Sequence, residues 1–206
     1  NLAALRRSEE RVRLLRALDA WARDAGADDV RRRVTISVLR ESILDRNPTT
    51  EEVEGLRGAV ASVLDLTEAA KGHILLGRLA ADELRHEEAE RELLEAIRLA
   101  RAVGRPGLVS QAQDRLGSIY FESGRAVEGG EQLESAVAGH EARGNRANAA
   151  ISRFKLAMHR FDAEQAMAGD GAFLREIDEI RHAGGEYAAG MARREFARVL
   201  RVTGDL

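Results

Sequence analysis

The sequence predicts an all-helical fold in which antiparallel helix pairs stack side by side. Ala, Leu, Arg and Glu dominate the 206 residues, whereas aromatic residues make up only 4% and Pro numbers two, a composition typical of helices. Apolar residues recur at intervals of three and four, as they do on an amphipathic helix. Finally, Gly104, Gly144 and Gly184 are spaced 40 residues apart, and a period of this length indicates a helical repeat.

The repeat includes the residues around those glycines. Aligning Gly77 with Gly117 also aligns Leu76 with Leu116, Arg85 with Arg125, Leu93 with Leu133 and Ala96 with Ala136. A looser third copy contains Phe173 and ends at Gly184. We therefore expect one helical repeat domain, divided into a half repeat 1–26, repeats of about 27–66, 67–106, 107–146 and 147–185, and a half repeat 186–206.

Glycine, proline and asparagine mark the turns between helices. They predict ten helices, at about 2–25, 28–45, 49–66, 67–83, 86–103, 107–122, 126–143, 146–163, 170–183 and 186–203. The first helix, which ends at Gly26, matches the second helix of a pair, and the residues after Val202 match a turn inside a pair. Both ends thus divide a repeat, and we expect the chain to be part of a longer polypeptide.

Charge and residue usage argue against several classes of partner. Lys and Arg together number 32 against 35 Asp and Glu, so no excess of positive charge favours direct binding to nucleic acid. The sequence has no Cys, which removes disulfides and thiolate metal sites and favours a reducing cytoplasm. No apolar run is long enough to cross a membrane. Lys71 and Lys155 are the only lysines, and this preference for Arg favours a bacterial source with a GC-rich genome.

The repeat resembles the tetratricopeptide repeat family. In the unit that begins at Lys71, the framework positions of that family match Leu76, Gly77, Ala80, Ala89, Leu93 and Ala96, and in the next unit they match Leu116, Gly117, Tyr120, Gly129, Leu133 and Ala136. The third unit and the segment from Asp28 to Leu66 match less well. The repeat is longer than the usual length of about 34 residues, and a HEAT-like repeat, whose period also spans 40, is the alternative.

The resemblance implies a right-handed superhelix of antiparallel helix pairs, in which the first helices line a concave peptide-binding groove. The implied groove residues are Lys71, Arg78, Gln111, Asp114, Ser118, Phe121, Phe154, Met158, Phe161, Arg194, Arg198 and Arg201. Aromatic residues and arginines of this groove would suit a peptide with apolar anchors and acidic flanks. Alternatively, Phe154 and Phe161 belong to the core, and the arginines form a solvated face or pair with acids.

No pattern in the sequence indicates catalysis or a cofactor. Two Glu-x-x-His strings occur, Glu83 to His86 and Glu179 to His182, and such strings supply ligands in di-iron bundles. The first spans a predicted turn, and bridging carboxylates are lacking, so we expect charged helix surfaces and no metal. Glycine-rich segments do not follow strands, and the serines lack a suitable His partner.

These features predict a cytoplasmic module that binds another protein or peptide, or another domain of its own polypeptide, without enzymatic activity. One alternative is an arm of a signalling or transcriptional regulator that senses a small ligand and changes its curvature. Another is self-association through the open ends of the repeat array, where apolar surface is exposed.

Overall fold

A computed structural model shows an all-α chain. The structure describes residues 2–42, 48–159, 174–182, 186, 189–190 and 192–193. Within these residues it contains helices and turns but no strand, which confirms the predicted all-helical class. Eight helices have full bounds in this part of the chain: α1 Leu2–Asp24, α2 Asp28–Ser42, α3 Thr50–Ser62, α4 Leu66–Asp82, α5 His86–Ala102, α6 Pro106–Glu122, α7 Ala126–Glu141 and α8 Arg146–His159. Residues 174–182 are also helical.

The predicted helix bounds agree closely with the structure from α4 to α7, whereas α3 ends four residues early. Val63 after α3 is extended, with φ −69° and ψ 135°. The Asp65 side chain then accepts hydrogen bonds from the amides of Thr67 and Glu68 and caps the start of α4. Because this cap begins a new helix, the apolar residues between α3 and α4 form a connection instead of a last turn of α3.

The chain divides into two compact units, Asn1–Leu108 and Val109–Leu206. In the first unit, consecutive helices from α1 to α5 pack against each other, and α2 also contacts α4. Near the contact between α2 and α4, a Cβ added to Gly72 of α4 would lie 2.2 Å from Val60 Cγ2 of α3 and 3.6 Å from Ile36 Cδ1 of α2. First helices of neighbouring repeats therefore pack together within this unit.

The second unit contains α7 packed on α8 and a core that extends to the last described residues. Its buried members are Ala150, Phe154, Ile177, Ile180, Ala189 and Ala192. Ion pairs border this core, since Arg153 lies 3.0 Å from Glu176 and Arg146 lies 2.9 Å from Glu179. The segment 174–182 is thus held to α8 by apolar burial and by charge.

In each of two helix pairs, α4–α5 and α6–α7, the two helices approach each other closely at a glycine. A Cβ added to Gly77 of α4 would lie 2.7 Å from Leu93 Cγ of α5, and one added to Gly117 of α6 would lie 2.7 Å from Leu133 Cγ of α7. Real Cβ atoms do not come this close to a neighbour, so glycine is required for this spacing. Gly77 and Gly117 are thus sites of close approach between the two helices of a pair.

The turns after the helices share one conformation. Gly26, Gly104, Gly124 and Gly144 have φ between 61° and 77°, and in each case the backbone forms the two hydrogen bonds of a Schellman cap, for example Gly104 N to Arg101 O and Arg105 N to Ala100 O. Leu84 stands where the next repeat has Gly124 and also has a positive φ, of 58°. Gly184 lies outside the described residues.

Among the helices that the structure describes, none combines the length and the apolar character needed to cross a membrane.

Candidate functional site

The predicted groove residues of the first unit are engaged within their own helix. Lys71 Nζ lies 2.7 Å from Glu68 Oε1, and Arg78 Nε lies 3.6 Å from Asp82 Oδ2. Both cations are partly exposed. Their charges are therefore partly neutralised by α4 itself.

In the second unit, the predicted residues of α6 lie along one stripe of the helix. Gln111, Asp114, Ser118 and Phe121 recur at intervals of three and four residues, which places them on one face. Side chains of α8 meet this stripe at two points. Asp114 contacts residues near the middle of α8, and the Phe121 ring stacks on the His159 ring with a centroid distance of 4.1 Å.

The remaining predicted groove residues fall into two groups. Phe154 is 6% exposed and belongs to the core of the second unit, as the alternative interpretation had it, and Met158 packs against the same core. The Phe154 ring is thus covered by protein and does not offer a surface to a ligand. Four further residues, Phe161, Arg194, Arg198 and Arg201, lie outside the described residues.

Asp114 is a largely buried carboxylate with a partner on each oxygen. Ser152 Oγ donates a hydrogen bond to Oδ1 at 2.6 Å, and the Lys155 ammonium donates to Oδ2. The Asp114 side chain is 17% exposed and that of Lys155 is 31% exposed. Both partners come from α8, so this polar cluster joins the first helices of two successive repeats.

The Asp114 carboxylate is ionised at neutral pH despite its burial. Burial by itself raises the pKa of Asp114. The Lys155 charge and the hydrogen bonds from Lys155 and Ser152 lower the pKa by a larger amount, so the net pKa lies below its usual value. A charge in such a site is tolerated only because it is paired and hydrogen-bonded.

His140 of α7 is the second buried polar group of this region. It is 4% exposed, and its Nδ1 accepts a hydrogen bond from Arg143 Nη2 at 2.9 Å. Since a guanidinium can only donate, the neutral ring carries its proton on Nε2. Burial and the Arg143 charge lower the pKa of His140, which favours this neutral form.

Asp114 and His140 line the same pocket, which encloses about 180 Å³. Its other lining residues are Gln111, Arg115, Asn148, Ile151 and Lys155. Gln111 and Asn148 are exposed and form the rim. The lining thus contains two cations and one anion, in addition to a neutral histidine that carries its proton on Nε2. We call this cavity the polar pocket.

The two buried polar residues of the pocket occupy positions that neighbouring repeats fill with apolar side chains. At the 40-residue offset, Asp114 corresponds to Ile74 and Phe154, each 6% exposed. His140 corresponds in the same way to Ala100, 0% exposed, and Ile180, 1% exposed. Because polar groups at core positions lower stability unless they are fully paired, two such departures that meet in one cavity indicate a specialised site.

A more open hollow lies beside the Phe121–His159 stack and encloses about 390 Å³. Its lining combines apolar surface with two acids and consists of Phe121, Ala126, Val127, Gly130, Glu131, Glu134 and His159. Packing against the Phe121 ring partly shields the His159 ring from water and lowers its pKa, with a further contribution from the Lys155 charge. A neutral ring stacked on Phe121 offers a flat apolar floor. We call this cavity the aromatic hollow.

Sequence reasoning did not assign a role to Arg115, His140, Ser152, Lys155 or His159. The signal that could have found three of them is the repeat itself, because Ser152, Lys155 and His159 follow their α6 partners by 38 to 41 residues. Residues one period apart lie side by side on neighbouring first helices. His140 could have been found as a polar residue in the register of Ala100.

The two Glu-x-x-His strings lie in different settings. Glu83 caps the end of α4 and His86 begins α5, so the first string spans a turn, as predicted. Glu179 lies in the helical segment 174–182 and pairs with Arg146. Over the described residues, His, Asp and Glu side chains form no group of three that could hold a metal ion.

No protein-family model matches the chain, and the curated proteins contain no significant match to it.

Proposed function

We propose that this chain is a helical repeat module of the tetratricopeptide type, stacked as a right-handed superhelix, which binds a segment of another protein. Two features support the fold proposal. The close approach at Gly77 recurs at Gly117, and first helices of successive repeats meet at α2 with α4 and at α6 with α8. A HEAT-like array does not require the small residue at the Leu-Gly position.

The proposed binding surface is the face of the second unit that carries the polar pocket and the aromatic hollow. Asp114 and Phe121 are seven residues apart on α6, which corresponds to about 10 Å along the helix. An extended peptide covers this distance in about three residues. The surface therefore fits a peptide with a polar residue in the pocket and an apolar residue about three positions away in the hollow.

The chemistry of the pocket favours a hydrogen-bond acceptor on the ligand. Both oxygens of Asp114 already have partners, whereas the lining also includes the cations Arg115 and Lys155 and the ring of His140. A carbonyl or carboxylate on the peptide would add a hydrogen-bond acceptor beside these groups. An acidic or amide side chain is thus the expected polar residue.

The observation that carries this proposal is the replacement of two core apolar positions by Asp114 and His140. The neighbouring repeats show that the fold is built with Ile74 and Ala100 in those places. Since equivalent positions elsewhere are apolar, the location of the polar pair in a solvent-accessible cavity supports a role in recognition.

A selection from a random peptide library on the immobilised chain tests the proposal. We expect enriched sequences to contain an acceptor side chain about three positions from an apolar one, and Phe121→Ala to remove the preference for the apolar residue. Leu94→Ala, at an exposed leucine of α5, is the matched control and should enrich the same sequences. A selection that enriches nothing, or that is identical for Phe121→Ala and the unchanged chain, would refute the proposal.

A second candidate function is the sensing of a small polar ligand. The polar pocket encloses about 180 Å³, enough for roughly six waters or one small metabolite. A bound ligand would raise the melting temperature, and the rise would grow with the logarithm of the free ligand concentration above the dissociation constant. A thermal-shift screen with small carboxylates and amides, repeated on Asp114→Asn, separates this function from peptide binding, because only the sensor is stabilised by a free small molecule.

We also propose that the module has no enzymatic role and acts in a bacterial cytoplasm, as the regulatory or recognition part of a larger protein. The lack of Cys and the preference for Arg over Lys support this setting.

A further inference from the structure

Helix α1 exposes an apolar seam. Leu14 is 68% exposed, Leu18 40% and Trp21 57%, and Ala17 between them is also exposed. The spacing of these residues places them on one face of the helix. Across the described residues, no other helix exposes more than one large apolar side chain on the same face. We call these four residues the α1 seam.

Two of the four seam residues occupy positions that the repeat buries elsewhere in the chain. Aligning Gly26 with Gly104 places Leu18 on Ala96 and Trp21 on Leu99 of α5, which are 0% and 5% exposed. Leu14 and Ala17 fall on Glu92 and Glu95, so α1 carries apolar residues where α5 has acids. An open apolar face of this kind favours association.

Charges beside the seam indicate what covers it. At 100° per residue, Arg13 and Asp24 project on the same side of the seam, near its two ends. Both are exposed, and neither forms an ion pair with another described residue. On the opposite side, Arg11 is engaged with Glu41 at 3.0 Å. One flank therefore carries an exposed cation at one end and an exposed anion at the other, a self-complementary pattern.

We propose that the α1 seam binds the same seam of a second copy of the chain, with the two helices antiparallel. Centring the pair between Ala17 and Leu18 places Leu14 against Trp21 of the partner subunit. A two-fold axis brings equal flanks together, so Arg13 lies beside Asp24 of the partner subunit, and the reciprocal pair forms as well. Each copy thereby covers the exposed apolar surface of the other and pairs with its exposed Arg13 and Asp24.

The expected dimer is weak. A single helix from each copy covers less than the area of about 1,200 Å² at which stable interfaces begin. The exposed charge pairs add little energy but select the antiparallel register. The dimer should therefore form only at high protein concentration, independently of any peptide bound by the second unit.

The chain carries its own reporter, because Trp21 is the only tryptophan and lies in the seam. The experiment measures the Trp emission maximum and the light-scattering mass from about 1 μM to about 1 mM protein. We expect the emission to shift to the blue and the mass to double over the same concentration range. A chain that stays monomeric with unshifted emission up to the highest concentration would overturn the proposal.

Charge reversal tests the register. Arg13→Glu and Asp24→Arg should each raise the dissociation constant about tenfold, because both symmetric pairs become repulsive, and the double variant should restore it. Arg16→Glu is the matched control, since this exposed arginine of α1 faces away from the seam and its reversal changes the net charge equally. Circular dichroism confirms that each variant is folded. A dimer that is unaffected by the single reversals, or not restored by the double variant, forms through another surface and would also overturn the proposal.

Discussion

The helix pairs α4–α5 and α6–α7 approach through the same glycine contact, yet they fill two equivalent interior positions with opposite chemistry. Ile74 and Ala100 are buried apolar residues in the first pair, whereas Asp114 and His140 are polar residues in the second. The glycine contact differs little between the pairs. The comparison teaches that the contacts that build the repeat and the residues that form the pocket are separate sets, so each can be changed alone.

Replacing the Asp114–Lys155 ion pair of the polar pocket with apolar residues should have the largest effect. In the double variant Asp114→Ile, Lys155→Leu, both residues take the identity found at Ile74 and Leu75. We expect peptide binding to be lost while the free energy of unfolding is unchanged or rises by about 1–4 kcal/mol, because apolar residues often replace a buried ion pair without loss.

The single variant Lys155→Leu is the informative control for this conversion. It leaves the Asp114 carboxylate largely buried without its cation and should lower the free energy of unfolding by about 2–3 kcal/mol. Urea denaturation measures both variants, and the affinity for a selected peptide measures function. A double variant less stable than the single one would contradict the separation of framework and pocket.

Disturbing the shared contact should affect stability in both pairs. A Cβ at position 117 would lie 3.0 Å from the Gly129 carbonyl oxygen, and one at position 77 would lie 3.3 Å from that of Ala89. We expect Gly117→Ala to lower the free energy of unfolding by about 2 kcal/mol and Gly77→Ala to lower it less.

Gly58→Ala is the matched helix control, because nothing lies within 4 Å of its added Cβ. It should stabilise the chain by up to about 1 kcal/mol through the helix preference of Ala. Thermal denaturation of the three variants gives the order, and equal effects at positions 58 and 117 would show that the contact is not tight.

The turn after α4 offers a smaller test. Leu84 has φ 58° where the next repeat has Gly124 with φ 77°, and its side chain is 74% exposed. Leu84→Gly should therefore relieve backbone strain and stabilise the chain by about 0.5–1 kcal/mol. Gly124→Ala should have the opposite sign, as measured by urea denaturation. Destabilisation by Leu84→Gly would mean that the leucine makes a contribution the turn geometry does not explain.

The titration of His140 should change the free energy of unfolding only in mildly acidic solution. At pH 7 this effect is smaller than the effects of the other substitutions. Burial and Arg143 lower its pKa below the ordinary value of 6.5. The resulting stabilisation is complete above pH 6.5 and is lost as the pH falls through the folded-state pKa, because the unfolded chain binds the proton first.

The free energy of unfolding measured from pH 7.5 down to about pH 5 should fall for the unchanged chain and fall less for His140→Ala. Ala is the residue of the equivalent position in α5. His182→Ala, at an exposed histidine, serves as the control and should follow the unchanged chain. Parallel curves for all three would exclude a buried neutral His140.

The sequence contained enough information for most of the helices because apolar residues recur at helical spacing and because α1, α5, α6 and α7 are each followed by a glycine. The turn after α3 was misplaced because Val63 and Leu64 continue the apolar pattern, whereas the Asp65 side chain caps the next helix. A side-chain cap competes with helix extension over one or two residues. The apolar pattern of the sequence does not show where such a cap begins a new helix.

For the candidate site, the sequence predicted which residues share a face of one helix but not which residues of other helices contact them. Gln111, Asp114 and Phe121 follow from their stripe on α6, but the partners of that stripe come from α8 and α7. Whether Phe154 faces a groove or the core depends on what the segment 174–182 covers, and a pattern within α8 does not contain this information. His140 can be identified only by comparing equivalent positions of the repeats, and this comparison requires the correct alignment of one repeat with the next.

The matching caps after Gly104 and Gly144 make each helix pair an exchangeable cassette. Residues 66–104 and 106–144 end in the same cap, so a pocket transplanted as a few side chains, with Asp at position 74 and His at position 100, is expected to keep the backbone that it had in the donor pair. The binding specificity of such a chain could be changed one helix pair at a time, and the number of binding sites would increase with the number of helix pairs joined.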